Sequence, residues 1–145
     1  MRLRGALLLP FVAVPLIGAA QPEGADVTVT VHNMRSANGK VFACLAHEKA
    51  AFPDCRHPGG TDLRMPATAA GSFTFHNVKP GRYAIALLHD ENDNGKLDKA
   101  LMIPKEGFGF SRDAPVRTGP PSFKSAAFDV GTSDVKQSIK MRYML

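Results

Sequence analysis

Apolar and polar residues alternate with a period of two in several separate segments of this chain, and no segment sustains an apolar period of 3.6. Near the start, Val27, Val29 and Val31 alternate with two threonines and a histidine, the pattern of a strand with one face buried. Residues 41–46 (VFACLA) and 83–88 (YAIALL) are apolar on both faces, which indicates strands covered on both sides. The alternation therefore predicts an all-β domain.

Other segments extend this pattern to about seven strands. Residues 62–69 (DLRMPATA) form a weaker strand candidate, and residues 72–78 (SFTFHNV) lead through a KPGR turn into YAIALL, which predicts a β-hairpin. Residues 123–130 predict a strand with a bulge where the alternation slips. Residues 135–143 predict a strand with one solvent-exposed, basic face. An antiparallel, Ig-like β-sandwich is the simplest architecture for these strands.

The first twenty residues have the layout of a secretory signal peptide. Arg2 and Arg4 precede an apolar run, and the small residues GAA end it. An uncleaved membrane anchor is the alternative, but the run is shorter than the roughly 20 residues that cross a bilayer, and two prolines interrupt it. We therefore expect residues 1–20 to be removed and residues 21–145 to form one domain that is periplasmic or secreted and does not span a membrane.

The charge of the predicted mature chain is modest. Without Arg2 and Arg4, the 18 Lys and Arg residues become 16, against 13 Asp and Glu, an excess of three positive charges. No run of basic residues interleaved with aromatics is present in the mature part. Nucleic acid is therefore not an expected partner.

Two cysteines, Cys44 and Cys55, are the only ones in the chain. In an exported protein they predict a disulfide, which would close a loop of about 12 residues. The alternative is two free thiols, one buried and one exposed to solvent. A catalytic thiol is disfavoured.

The stretch from His89 to Pro121 shows no convincing strand, and a connection of that length inside a compact domain is usually functional or disordered. Its apolar residues argue against disorder. We therefore expect one long ordered loop, folded over one end of the sandwich. Phe108, Phe110 and Phe123 are expected to anchor it to the core, and the alternative is that they line a ligand groove.

This stretch opens with HDENDNGKLD, an acidic pattern typical of Ca²⁺-binding loops. Positions 1, 3, 5, 6 and 9 of that pattern are held by Asp90, Asn92, Asn94, Gly95 and Asp98, and the carbonyl of Lys96 stands at position 7. Oxygen ligands two residues apart on a curled loop converge on one point, and Gly permits the sharp turn. The spacing predicts a metal site formed by Asp90, Asn92, Asn94, Lys96 and Asp98, with Ca²⁺ as the cofactor.

Position 12 is Leu101 instead of the bidentate Glu, and no helical pattern flanks the loop, so the motif is not an EF-hand. Glu106, Glu91 and Asp93 are candidates for the missing ligand, and the affinity expected is weak, about 10⁻⁴ to 10⁻³ M. The alternative is a turn whose Asp and Asn side chains cap backbone amides without an ion. His89 is expected to pack at the end of the sheet and not to bind the metal.

Four ordered motifs carry a family resemblance: PGRYAI, HDENDNGKLD, IPKEGFGFS and PPSFKSAAF. On these motifs the chain resembles the bacterial exported family catalogued as domain of unknown function 2141, over essentially the whole mature part. The resemblance implies a β-sandwich of the prealbumin-like or carboxypeptidase-regulatory-like kind, in which a P-G-x-Y hairpin leads into a central strand. It implies no catalytic residues, because the family has no assigned activity.

Three functions follow as hypotheses. The first is a non-catalytic module that binds a protein, a glycan or an envelope component, with its loop organised by Ca²⁺. The second is a structural or assembly protein of the envelope that acts through the sheet edge beside residues 136–142. The third, less favoured, is a hydrolase that uses carboxylates such as Asp90, Asp98 and Glu106, with His89.

Overall fold

The computed structural model describes residues 23–95, 99–100 and 103–145, together with single residues 13, 15 and 18. The predicted signal peptide lies almost entirely outside the described residues, as do Lys96 and Asp98 of the predicted metal loop. Within the described ranges, no helix is long and apolar enough to span a membrane.

The described residues form an all-β domain with one short α-helix and three single-turn 3₁₀ helices. In chain order the strands are β1 (Ala25–His32), β2 (Lys40–Ala46), β3 (Gly60–Pro66), β4 (Ser72–Val78), β5 (Gly81–Asp90), β6 (Lys99–Ala100), β7 (Ile103–Pro104), β8 (Gly107–Phe110), β9 (Phe128–Val130) and β10 (Val135–Lys140), and the helix is α1 (Phe123–Ala126). The described residues thus contain ten strands where about seven are predicted. Several of the ten are only two to four residues long.

The strands form two main sheets. The first has the order β10-β1-β4, and the second has the order β3-β2-β5-β8, with β9 pairing with the start of β5. Among the described residues, β6 and β7 form a separate two-stranded sheet. Apolar side chains from both sheets pack into one buried cluster, which includes Val27, Val29, Phe75 and Ile139 from the first sheet and Ala43, Leu45, Ile85 and Leu87 from the second. The prediction of an all-β, two-layer domain is confirmed.

The prediction that all strands are antiparallel is wrong for β1 and β10. These strands pair in parallel, with Val27 opposite Val135 and Val31 opposite Ile139. A parallel pair requires a long crossover connection. Because β1 and β10 are the first and last strands, nearly the whole domain serves as that crossover.

The predicted hairpin between residues 72–78 and 83–88 is also wrong. Strand β4 pairs with β1 in the first sheet, whereas β5 pairs with β2 in the second. The short KPGR connection therefore carries the chain from one sheet to the other. A turn sequence and an alternating pattern suit either kind of connection, so they cannot distinguish a hairpin from a change of layer.

Two further expectations need correction. Residues 89–121 contain strand structure, since β5 extends through Asp90 and β6, β7 and β8 follow it. The segment before β9 is not a bulged strand but the single turn of α1, in which Ser122 Oγ accepts a hydrogen bond from the Ser125 N–H at 3.2 Å. Such a serine cap satisfies an N–H group that a short helix leaves without a partner.

Strand β8 connects the two sheets at one edge. Phe108 faces Leu88 of β5 and also exchanges two backbone hydrogen bonds with Arg142, just beyond β10, at 3.0 and 2.8 Å. Phe108 and Phe110 are buried, and Phe123 packs on the same cluster, so the expectation that these aromatic residues anchor the segment is confirmed. The closed edge places the end of β5, and the turn that follows it, beside the C-terminal residues.

Candidate functional site

Strand β5 ends at Asp90, whose side chain is fully buried. Its carboxylate accepts backbone N–H groups from Gly95 at 2.7 Å and Asn94 at 3.2 Å. Asn92 Oδ1 also accepts from the Asn94 N–H, at 3.3 Å. Gly95 has a φ of 72°, the left-handed conformation that glycine adopts without strain. Residues 90–95 therefore curl around the Asp90 carboxylate.

The structure brings three of the five predicted metal ligands onto this turn. Asn92 and Asn94 are exposed beside the buried Asp90. Lys96 and Asp98 lie outside the described residues. Among the residues that are described, no group of three or more His, Cys, Asp or Glu side chains is arranged to hold a metal ion. The Ca²⁺ site is a prediction that this geometry does not test.

The three candidates for the missing ligand have different surroundings. Glu106 is buried, and its Oε2 accepts the backbone N–H of Glu91 at 3.0 Å, so its carboxylate lies against the start of the turn. The carboxylate of Asp93 pairs with Lys40 Nζ at 3.0 Å. That of Glu91 pairs with Arg35 Nη2 at 2.6 Å. Glu106 is therefore the candidate whose carboxylate lies buried at the base of the turn.

Arg35 holds the turn against the rest of the domain. Its guanidinium donates to both carboxylate oxygens of Glu91, and Ser36 Oγ donates to Glu91 Oε1 at 2.7 Å. The guanidinium also stacks 4.5 Å from the ring centre of Tyr143. The hydrogen bonds from Arg35 lower the pKa of the Glu91 carboxyl below its ordinary value of 4.5. The pair is therefore charged over the neutral pH range.

His89 is completely buried beside this cluster. Its Nε2 lies 2.8 Å from the carbonyl oxygen of Asn38, and its Nδ1 lies 2.8 Å from the Tyr143 hydroxyl. A carbonyl only accepts, so Nε2 carries the hydrogen, and in the neutral ring Nδ1 accepts from Tyr143. Burial raises the pKa of Tyr143. Both nitrogens of His89 are used within the fold, in agreement with the expectation that the ring packs at the end of the sheet.

A shallow groove of about 340 Å³ runs beside the turn on the outer face of the second sheet. Its lining includes Lys40, Phe42 and Arg64 from β2 and β3, together with the turn residues Asp93 and Gly95. The Arg64 guanidinium stands 5.2 Å from the ring centre of Phe42. The groove thus places an aromatic ring, two cations and the turn within reach of one ligand.

Residues 29–138 match the family described as an uncharacterized protein conserved in bacteria (DUF2141). The chain belongs to this family. The match confirms the resemblance drawn from the sequence motifs and extends from the second half of β1 through most of β10. No curated protein and no solved structure matches the chain.

In this DUF2141 domain, Cys44 and Cys55 form the predicted disulfide, with their Cα atoms 5.6 Å apart. Cys44 lies in β2, and the bridge holds residues 47–59 against the outer face of the second sheet. Ala51 is fully buried there, and Phe52 packs beside it. The bridge therefore covers part of the sheet next to the groove.

The sequence patterns missed several residues of the site in this DUF2141 chain. Arg35, Ser36 and Tyr143 come from opposite ends of the sequence, and Phe42 and Arg64 come from two neighbouring strands. None belongs to a motif with a spacing of its own. Only the pairing of the strands brings them to the turn, so no signal along the chain could identify them.

Proposed function

We propose that this DUF2141 domain is an exported, non-catalytic binding module with an Ig-like or prealbumin-like sandwich. In this proposal the Asp90–Asp98 turn holds Ca²⁺, and the turn and adjoining groove bind a protein, a glycan or an envelope component. The observation that carries the proposal is the curl of residues 90–95 around the buried Asp90 carboxylate. A calcium loop needs that curl, because it turns alternate side chains toward one point.

The charges at the base of the turn support a cation. Asp90 and Glu106 are buried carboxylates that both accept backbone N–H groups of the turn or of its first residue. Burial of negative charge is unfavourable unless hydrogen bonds or a cation offset it. Asp98 would add a third carboxylate from the sequence pattern. A divalent ion would be held by these oxygen ligands together, with Glu106 in place of the absent position-12 ligand.

Two observations support the other parts of the proposal. The Cys44–Cys55 disulfide is typical of proteins outside the reducing cytosol and agrees with the signal-peptide pattern. His89 engages both ring nitrogens within the fold, which favours a binding role over proton transfer.

Thermal unfolding in calcium tests this proposal. With a dissociation constant near 10⁻⁴ to 10⁻³ M, 5 mM Ca²⁺ should stabilise the native state by about 1–2 kcal/mol, which corresponds to roughly 3–8 °C in Tm. Asp98→Asn should abolish the increase. Asp93→Asn is the matched control, because Asp93 pairs with Lys40 and the change removes one charge from the same loop.

The result that contradicts the calcium site is equal Tm in chelator and in 5 mM Ca²⁺. The turn would then be held by its hydrogen bonds and ion pairs without a bound ion. An increase that is the same in Asp98→Asn as in the unsubstituted protein would place the ion elsewhere, and would also contradict the proposal.

A further inference from the structure

The outer face of the first sheet carries mainly hydroxyl, basic and histidine side chains at its outward positions, with the Asp26 carboxylate at one end. The hydroxyl, basic and histidine residues are Thr28, Thr30 and His32 of β1, Lys136, Ser138 and Lys140 of β10, and Ser72, Thr74 and His76 of β4. The residues between them on β1, such as Val27 and Val29, point into the core. We name these nine residues the hydroxyl-basic face.

The register aligns these side chains in rows across the sheet. Thr28 lies between Lys136 and Thr74, and its hydroxyl is 3.1 Å from that of Thr74. Thr30 lies between Ser138 and Ser72. A ligand laid along the sheet would therefore meet a regular grid of donors and acceptors, about 5 Å apart across strands and about 7 Å apart along each strand.

The hydroxyl-basic face is open to solvent. Thr30, His32, Lys136, Ser138 and Lys140 are all exposed. The second sheet differs, because the disulfide-held loop and the α1 segment pack on its outer face. Among the described residues, the outer face of the second sheet is thus partly covered, whereas the outer face of the first sheet is exposed to solvent.

The two lysines of this face form no ion pair among the described residues. Carboxylates border both ends of the face. At one end, Asp113 accepts the backbone N–H of Lys140 at 2.9 Å. At the other, Asp26 pairs with His76 at 3.0 Å and Asp134 accepts the Asp26 N–H at 2.9 Å. The centre of the face therefore combines two available ammonium groups with neutral hydroxyls.

We propose that the hydroxyl-basic face docks an anionic polysaccharide. Lysines suit its carboxylate, sulfate or phosphate groups, and threonine and serine hydroxyls can exchange hydrogen bonds with sugar hydroxyls. A membrane surface is less suitable, because the outward positions offer no apolar side chain to enter a bilayer. A nucleic acid is less suitable, because they offer no Phe, Tyr or Trp ring on which a base could stack. This surface is separate from the turn and does not depend on calcium there.

Binding of polygalacturonate, a carboxylated polysaccharide, tests the proposal. Calorimetric titration is done in EDTA so that calcium has no role, and at about 50 mM NaCl, where screening is weak. Lys136→Gln/Lys140→Gln should weaken binding by roughly five-fold or more, and higher salt should weaken binding by the unsubstituted protein. The control is Lys49→Gln/Lys124→Gln, which removes the same charge from segments on the second sheet and should change the affinity by less than about two-fold.

Four outcomes would overturn it. They are no binding of polygalacturonate, equal binding of neutral dextran, equal loss in both double variants, and binding of phosphatidylglycerol vesicles without binding of polygalacturonate. Circular dichroism and Tm establish that each variant is folded, so that a loss of binding reports on the surface. Failure of the calcium experiment leaves this result unaffected.

Discussion

Arg35 is the residue that connects the candidate turn to the rest of the domain. Besides Glu91, its guanidinium donates to the carbonyl oxygens of Lys105 and Leu145 and stacks on Tyr143. One side chain thus joins the connection after β1, the turn after β5, the segment before β8 and the C-terminal residues. Planar guanidinium groups suit such a position, because their N–H donors point in several fixed directions.

The pair formed by Arg35 and Glu91 should make stability depend on pH. Because the pKa of Glu91 is lowered in the folded state, the pair stabilises the protein above pH 4.5, and that contribution is lost as the pH falls through the folded pKa. The Arg35 side chain is 41% exposed, so solvent screens the pair. We expect Glu91→Gln to lower the free energy of unfolding by about 0.5–1 kcal/mol at pH 7 and to have a smaller effect at pH 3.

Urea denaturation at both pH values measures this difference. Glu48→Gln is the control, because Glu48 forms none of the ion pairs between described residues and is exposed. A Glu91→Gln effect of the same size at pH 3 and pH 7 would show that the carboxylate charge is not responsible.

At the level of secondary-structure elements, β8 shows why glycine occurs inside a buried strand. A Cβ atom on Gly109 would lie 2.7 Å from Ile139 Cγ2 and 3.1 Å from Met141 Sδ. Both neighbours are fully buried core residues from the end of the first sheet. Glycine therefore lets β8 approach that sheet closely and bond to Arg142 on one side and to β5 on the other.

Gly109→Ala should destabilise the protein by about 1–3 kcal/mol, because the methyl group overpacks a core that has no room for it. The measurement is the midpoint of urea unfolding. Gly131→Ala is the matched control: a Cβ there meets nothing within 4 Å, and we expect a change of less than about 0.5 kcal/mol. Equal midpoints for Gly109→Ala and the unsubstituted protein would contradict the proposed close packing of β8.

The two strands on either side of the KPGR turn show that an alternating pattern does not specify which strand each one pairs with. Phe75 of β4 and Ile85 of β5 both point into the shared core, as alternation predicts. They do so from opposite sheets, because β4 finds β1 as its partner and β5 finds β2. A hairpin and a change of sheet would both bury the apolar face of each strand. The choice of partner therefore depends on the complete set of strands.

At the scale of the whole molecule, the disulfide adds a covalent link to a domain in which β8 already joins the two sheets at one edge. The bridge joins β2 to residues that cover the outer face of the second sheet. Replacing both cysteines in Cys44→Ala/Cys55→Ala should lower the free energy of unfolding by about 3 kcal/mol, since a loop of about 12 residues is no longer restricted in the unfolded chain.

Unfolding of the variant and of the unsubstituted protein, each with and without reductant, checks this expectation. Reductant should lower the stability of the unsubstituted protein toward that of the variant and leave the variant unchanged. If the variant and the oxidised protein unfold at the same denaturant concentration, the bridge does not stabilise the domain.

Local patterns in the sequence were sufficient for several features of this domain. The all-β class, the burial of strands such as β2, the disulfide and the family follow from alternation, cysteine number and motifs, because each depends on neighbouring residues or on a single pair. The turn that begins at Asp90 also follows from its Asp, Asn and Gly residues. The Ca²⁺ that we place there is a prediction.

Tertiary structure alone decided the remaining features. The parallel pairing of β1 with β10, the change of sheet between β4 and β5 and the short strand β8 depend on which distant strands pair. The same holds for Arg35 and Tyr143 beside the turn and for the rows of the hydroxyl-basic face. Alternation specifies which side of a strand is buried, but the partner strand is selected by the free energy of the complete core, which no single segment contains.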